Sequence, residues 1–215
     1  MIKGLSEISL KNFVSAARRA AACGLLRCSS GNMSWRINDE LAAITARGCW
    51  LERLTKDDVS LCRIADGEIL HGKMPSVESR FHLGILRQRA DINVVLHFQS
   101  PYATAIACSA RRDYDFCVLS EVPCYIGSIG FVDYILPGSK ELATAVTEAV
   151  KKHNMVLLQN HGQVTVGKDF DDVIQKACFF ELVCQILLCG SDLKAIPAEA
   201  AAALTNAAKN SKAKG

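Results

Sequence analysis

No segment of this sequence supplies the ~18 uncharged apolar residues of a membrane-spanning helix. Met1 to Ser9 also lack a basic stretch leading into an apolar run and a small-residue cleavage site. From these absences neither a membrane-spanning helix nor a cleaved secretory leader is expected, and the chain is expected in the cytoplasm. Among ten cysteines there is no C-x-x-C pair. Cys23 and Cys28, or Cys178, Cys184 and Cys189, are spaced otherwise, and several thiols sit in apolar runs where reduced cysteine packs as a small hydrophobe. Reduced structural cysteines are expected, not a cluster or a disulfide framework. A surplus of one charge is missing too: 25 basic residues face 22 acidic ones, and only Lys209, Lys212 and Lys214 cluster. No nucleic-acid or membrane partner is expected from that balance, and the basic end reads as a solvated tail.

What is present is apolar substance. Half of the 215 residues are apolar, enough for a full core, and with no internal repeat or interdomain linker the chain reads as one domain over residues 1–215. So apolar a composition, with so few charges, also points to a buried subunit interface in a symmetric oligomer.

Apolar positions at helical spacing (Phe13, Val14, Ala17, Ala20, Ala21) predict a helix over Leu10 to Leu26. A Ser/Gly/Asn turn, Cys28 to Ser34, leads into an alternating strand, with Leu41 to Thr45 as its hairpin partner. A helix is expected from Ser76, as N-cap behind Pro75, to Arg87, with Glu78 in its first turn. Asn93 to His97 reads as a buried strand, and Pro101 to Cys108 as a helix. Strands are expected at Val118 to Val122, Gly130 to Ile135, Met155 to Gln159 and Val164 to Val166, and helices at Lys140 to Lys152 and Phe170 to Leu188. After Pro197 an Ala-rich helix is expected to fray over its last ten or so residues. The pattern is α/β, with the notable polar residues at strand ends, where such folds place their chemistry.

Of five histidines, His97 and His161 directly follow apolar strands. Alone, each reads first as a hydrogen-bonded structural residue. Together with the carboxylate of Glu78 they supply the donor set of a divalent metal that keeps one position open for substrate. His82, four residues after Glu78, shares its helix face and reads as a buried hydrogen-bonded histidine; His71 and His153 lie in charged segments and read as exposed.

Six stretches sharpen this reading: Ser30-Gly31-Asn32-Met33-Ser34, Ile44-Thr45-Ala46-Arg47-Gly48, Gly72-Lys73-Met74-Pro75-Ser76-Val77-Glu78, Val95-Leu96-His97, Pro137-Gly138-Ser139, and Asn160-His161-Gly162 followed by Gly167. In order and approximate spacing the chain resembles the class II aldolase/adducin family from residues 10 to 190. The resemblance implies a three-layer α/β/α sandwich with a central mixed, largely antiparallel sheet, assembled as a homotetramer. It also implies a divalent metal, zinc first, and a phosphorylated sugar or sugar acid as substrate. The implied activity is that of an aldolase, similar to the fuculose-phosphate aldolases of the family; epimerase, dehydratase and decarboxylase chemistry are its alternatives. By the same resemblance Glu78 is the catalytic acid/base beside the metal, His97 and His161 are ligands, and Gly31, Asn32, Gly48 and Ser76 hold the phosphate.

Three positions depart from the family pattern. Gln99 stands where the second histidine of an H-x-H pair belongs; its amide oxygen is a poorer zinc ligand, which opens the site to manganese, cobalt or another ion. Val77 replaces a serine hydroxyl, and Arg47 replaces a small hydroxyl residue. A guanidinium fork there can grip phosphate or carboxylate, so a sugar acid enters the substrate class; the same arginine can equally serve an interface. Some family aldolases use a tyrosine as a second proton donor, and no motif singles out Tyr102, Tyr125 or Tyr134 for it. The non-enzymatic alternative is an adducin-like association module. Gln99 favours it; the retention of Glu78, His97, His161 and Asn32 together opposes it.

Overall fold

The computed structural model describes residues 6–212. Its eight strands are β1 (Asn32–Arg36), β2 (Leu41–Thr45), β3 (Val59–Arg63), β4 (Ile69–His71), β5 (Val94–Phe98), β6 (Ile129–Val132), β7 (Met155–Leu158) and β8 (Gly162–Gly167). Six helices accompany them: α1 (Glu7–Ala22), α2 (Ser79–Gln88), α3 (Pro101–Ala107), α4 (Lys140–Val150), α5 (Phe170–Cys189) and α6 (Ala198–Lys212). The strands form one sheet in the order β4-β3-β2-β1-β5-β8-β7-β6. Every pairing is antiparallel except β6 with β7.

Side chains alternate across a strand, and the central strands feed two cores. Met33, Ala43, Leu96, Phe98 and Leu157 pack under α1, α3 and α5. Ile44, Val95, Val156, Val164 and Val166 pack under α2 and α4. The result is the expected α/β/α sandwich with a mixed, mostly antiparallel sheet. Each large side chain taken fully out of water in these layers contributes about 1.5–3 kcal/mol.

Several sequence expectations shift. Val118 to Val122 is not a strand: residues 117–120 turn, and Val122–Ile126 form one π-helical turn. Pro123 is the second residue of that turn, and Gly127, at φ 79°, ends it with its N–H on Val122 O. Proline has no N–H for a ladder, so the apolar run coils. Strands β3 and β4 went unanticipated, because Val59 to Cys62 is buried at every position and β4 is exposed at every position, leaving no alternation to read. The helix holding Glu78 starts later than expected. Glu78, not Ser76, occupies the cap position, and Ser76 instead supports the preceding turn by accepting from Glu78 N–H at 3.3 Å.

All ten cysteines are free thiols, but only Cys62 and Cys184 are buried. His71 is exposed, whereas His153 is half-buried, bonded to Ser128 Oγ at 2.8 Å. Helix α6 docks through Thr205 Oγ1, which donates to Pro123 O. It is continuous to Lys212, through most of the stretch expected to fray, and α1 begins at Glu7; residues 1–5 and 213–215, on which the rest of the leader and fraying readings fall, lie outside the described residues.

Candidate metal centre and catalytic site

Sheet register assembles the site. Asn32 of β1 lies opposite His97 of β5, and Ser34 lies opposite Val95, so Asn32, Ser34 and His97 share the face under α2. On the other side of β5, the β7–β8 hairpin turns through Gln159, Asn160 and His161, with Asn160 in the left-handed region at φ 53°. Close approach of that hairpin to β5 needs glycine at 162, where a Cβ would fall 2.6 Å from Phe98 O and 2.7 Å from Gln99 Cγ. Gly31 is a second such point: at φ 76°, a Cβ would meet His97 O at 2.6 Å.

Three side chains converge. His97 Nε2 lies 3.3 Å from Glu78 Oε2, and His161 Nε2 lies 3.2 Å from Glu78 Oε1. The two imidazoles meet edge to face, with ring centroids 4.8 Å apart. Glu78 and His97 are buried and His161 is only 10% exposed. Asn32 Nδ2 donates to Glu78 Oε2 at 2.9 Å, while the His161 contact is not aligned as a hydrogen bond and Oε1 has no hydrogen-bond partner.

Protonation follows from these contacts. Burial alone would push Glu78 up, but His97, His161 and the Asn32 amide outweigh it and hold the carboxyl well below the usual carboxylate range. Burial pushes His97 down, against the pull of Glu78. His97 Nδ1 sits 2.9 Å from Gln163 O, and a carbonyl only accepts, so Nδ1 carries the proton. With Nδ1 turned to that carbonyl, His97 points Nε2 at a carboxylate oxygen: as an imidazolium it ion-pairs with Glu78, and as a neutral ring it presents a lone pair there. In the neutral case two acceptors 3.3 Å apart call for a cation between them.

The set fits a metal. Donors bound at about 2.0–2.2 Å to a shared ion sit roughly 3–4 Å apart, and one donor atom each from Glu78, His97 and His161 lies within 4.8 Å of the others. The His97 Nδ1–H to carbonyl bond is the outer contact that ligating histidines characteristically make. Gln99 follows β5 with its Cγ against Gly162, the residue after His161.

The remaining candidates divide. Arg47 and Gly48 form a loop joined to the Glu78 segment by Arg47 N–H on Met74 O and by the Ala46–Pro75 bridge. A cleft of about 350 Å³ lies there, lined by Arg47, Ser76, Val77, Ser79 and Arg80. Arg47 is exposed, with no carboxylate paired to it among the described residues. Asn32, in contrast, spends its side-chain amide inside the protein, Nδ2 on Glu78 and Oδ1 on His82. Gly31 packs tightly against Leu26 and His97, whereas a Cβ on Gly48 would meet open space. Among the tyrosines, Tyr125 and Tyr134 are exposed and Tyr102 accepts from Gln185. A larger hollow of about 520 Å³ lies against α1 among Lys11, Arg18, Arg19 and Lys56, with no acid/base set, so size does not locate the site.

Sequence reasoning missed Ser34. Its oxygen lies 2.7 Å from His82 Nδ1, and burial pushes His82 down to about 3. The available signal was spacing: Asn32 and Ser34, two apart on a strand, face one way, as do Glu78 and His82 on the helical segment.

This fold and this buried Glu/His/His set define an enzyme of the class II aldolase type. A family model for the class II aldolase and adducin N-terminal domain matches residues 11–188, and the chain belongs to that family. It is 36% identical to an L-fuculose phosphate aldolase of Methanococcus maripaludis over 77% of this chain and 88% of that protein. A 3-oxo-tetronate 4-phosphate decarboxylase of Haemophilus influenzae is 30% identical over 66% of this chain and 69% of its own length. Among solved structures, YgbL from Escherichia coli superposes with a TM-score of 0.86 at 25% identity, covering 91% of this chain and 97% of that one.

Proposed function

We propose that this protein is a divalent-metal-dependent lyase that breaks or makes a bond next to the carbonyl of a phosphorylated sugar, in the manner of the L-fuculose phosphate aldolases it is similar to. The observation that carries the reading is the convergence of Glu78, His97 and His161, with Nε2 of both imidazoles facing the carboxylate. Glu78, His97 and His161 would hold a divalent ion, which when bound would supply positive charge to polarise a substrate carbonyl. Two imidazoles and a carboxylate favour zinc, and Gln99 beside His161 leaves manganese or cobalt as competitors. Glu78, kept anionic by its surroundings, takes up the proton. The cleft at Ser76 receives the phosphate, with Arg47 as its charged wall and Gly48 next to Arg47 in the same loop. In this reading the protein works as a homotetramer in the cytoplasm, where ten free thiols stay reduced.

Arg47 favours a second reading on the same site, decarboxylation of a phosphorylated sugar acid. An exposed guanidinium at the cleft offers a bidentate grip on a second anionic group, and the decarboxylase relative acts on such an acid. One experiment separates the possibilities. The purified protein and its His161→Ala variant are analysed for bound metal, then the metal-loaded protein is given ketose 1-phosphates and phosphorylated 3-oxo acids. About one ion per chain, lost in the variant, with aldehyde release from the first class supports the aldolase. Carbon dioxide release from the second class supports the decarboxylase. No metal uptake from zinc, manganese or cobalt removes the enzyme mechanism and returns the association module. Sedimentation as a monomer would count against the tetramer.

A further inference from the structure

We infer that His82, oriented by Ser34, is a positioning residue: it fixes the side-chain amide of Asn32 and, through it, the Glu78 carboxylate. The inference rests on the proposed role of Glu78 at a metal. Four buried side chains form one line. Ser34 Oγ is 2.7 Å from His82 Nδ1, His82 Nε2 meets Asn32 Oδ1, and Asn32 Nδ2 reaches Glu78 Oε2 at 2.9 Å. Ser34 and His82 are 0% exposed and Asn32 is 7% exposed, so water does not stand in for a lost partner.

Only one assignment of protons satisfies every contact. An anionic carboxylate accepts and does not donate, so Asn32 must turn its NH₂ to Glu78. Its carbonyl oxygen then faces His82 and needs a donor, which places the imidazole proton on Nε2. A neutral ring has one proton, so Nδ1 is a bare acceptor, and the Ser34 hydroxyl donates to it. Turning the amide over would set Oδ1 against the carboxylate and NH₂ against a ring N–H, and both contacts would repel. The hydroxyl at one end and the charge at the other therefore hold a single arrangement.

The consequence falls on Glu78. With Oε2 held by Asn32, its other oxygen, Oε1, is left without a hydrogen bond and stands 3.2 Å from His161 Nε2. His82 touches no ligand atom of the centre; it acts by preventing the amide from rotating and the carboxylate from swinging away. A merely structural histidine would be indifferent to which way the Asn32 amide points.

The test uses the full-length chain, first metal-free and then titrated with Co²⁺. In the metal-free protein, imidazole ¹⁵N shifts should report His82 as the neutral Nε2–H tautomer, and Ser34→Ala should keep that tautomer while moving the Nδ1 signal downfield, as expected for an acceptor that has lost its donor. The Asn32 side-chain NH₂ signals should be protected from exchange, and lose that protection in His82→Leu. Glutamine places an N–H where His Nε2 stood, so His82→Gln should restore it. With Co²⁺, His82→Leu should lose about 10- to 100-fold in affinity and shift the visible absorption bands, with recovery in His82→Gln. A His82 found as the Nδ1–H tautomer overturns the inference. So does a folded His82→Leu whose Asn32 protection, Co²⁺ affinity and spectrum match the wild type. If His82→Leu does not fold, the tautomer of the wild type and the Nδ1 shift in Ser34→Ala decide. Wild-type protein that binds no Co²⁺ overturns the metal reading, and the tautomer and amide protection still decide the positioning.

Discussion

Two glutamates, one on each side of the sheet, Glu78 buried and Glu181 half-buried, are treated in opposite ways. Glu181 of α5 is saturated: it accepts from Ser100 Oγ at 2.6 Å and from the N–H groups of Tyr102 and Ala103 at 2.9 Å. Those N–H groups open α3, whose own cap residue Ser100 makes no capping bond, so a carboxylate from another helix supplies the acceptor and the negative charge that a helix start favours. Glu78 has one hydrogen bond, from Asn32, and an oxygen left over. A buried polar atom without a partner costs stability, and it persists here where two imidazoles also converge. The pair teaches how to tell a carboxylate that holds the fold from one kept for chemistry: the first has its donors counted out, and the second is left short.

The contrast can be broken at its strong end first. Glu78→Gln should lower kcat on the identified substrate by about 10²- to 10⁴-fold, and the denaturant midpoint should fall as well, because surroundings that hold the carboxyl ionised favour the charged form. An unchanged kcat would sink the assignment. The next effect is in acid. His82 is neutral in the fold, with its value pushed from 6.5 to about 3, so the unfolded chain binds the extra proton between those values. Stability should therefore fall as pH drops from 6.5 toward 3, by roughly 3–5 kcal/mol attributable to this group. Unfolding curves at pH 7, 5 and 4 should show a steeper loss in wild type than in His82→Gln; equal slopes would contradict it.

On the saturated side, Glu181→Gln should cost about 1–3 kcal/mol of stability, since an amide cannot accept from three donors as a carboxylate does. Co²⁺ affinity should hold within about threefold, and a large change would erase the distinction between the two glutamates. Smallest for the fold is Arg47→Ala, expected to move stability by less than about 0.5 kcal/mol at an exposed position. It should nonetheless weaken inorganic phosphate binding, read by calorimetry; unaltered binding returns Arg47 to an interface role.

The comparison also shows what could be read from the chain alone. Glu78, His97 and His161 were legible because strand-terminal histidines and a carboxylate after Pro75 stand out locally, and the family resemblance places them. The layers were legible too, since β5 and β7 are short β-branched runs between polar boundaries. Strand β3 was hidden because both of its faces are buried, and Val118 to Val122 misled because proline, one residue later, bends an apolar run into a turn. The line from Ser34 to Glu78 was out of reach for a different reason. It depends on β1 lying beside β5 in one particular register and on α2 crossing above both, which are properties of the closed sheet and not of any segment.

That dependence on closure has a kinetic side. Glu78 enters from the start of α2, His97 from β5 and His161 from the β7–β8 hairpin, and β5 is flanked by β1, the first strand in the chain, and by β8, the last. Such distant pairings form slowly, because loop-closure entropy must be overcome before contacts reward it. A nascent chain that has not yet supplied β8 has two of the three converging donors and no third. Refolding followed by metal capture should then lag refolding followed by helical signal, making the bound ion a clock for the last step of assembly.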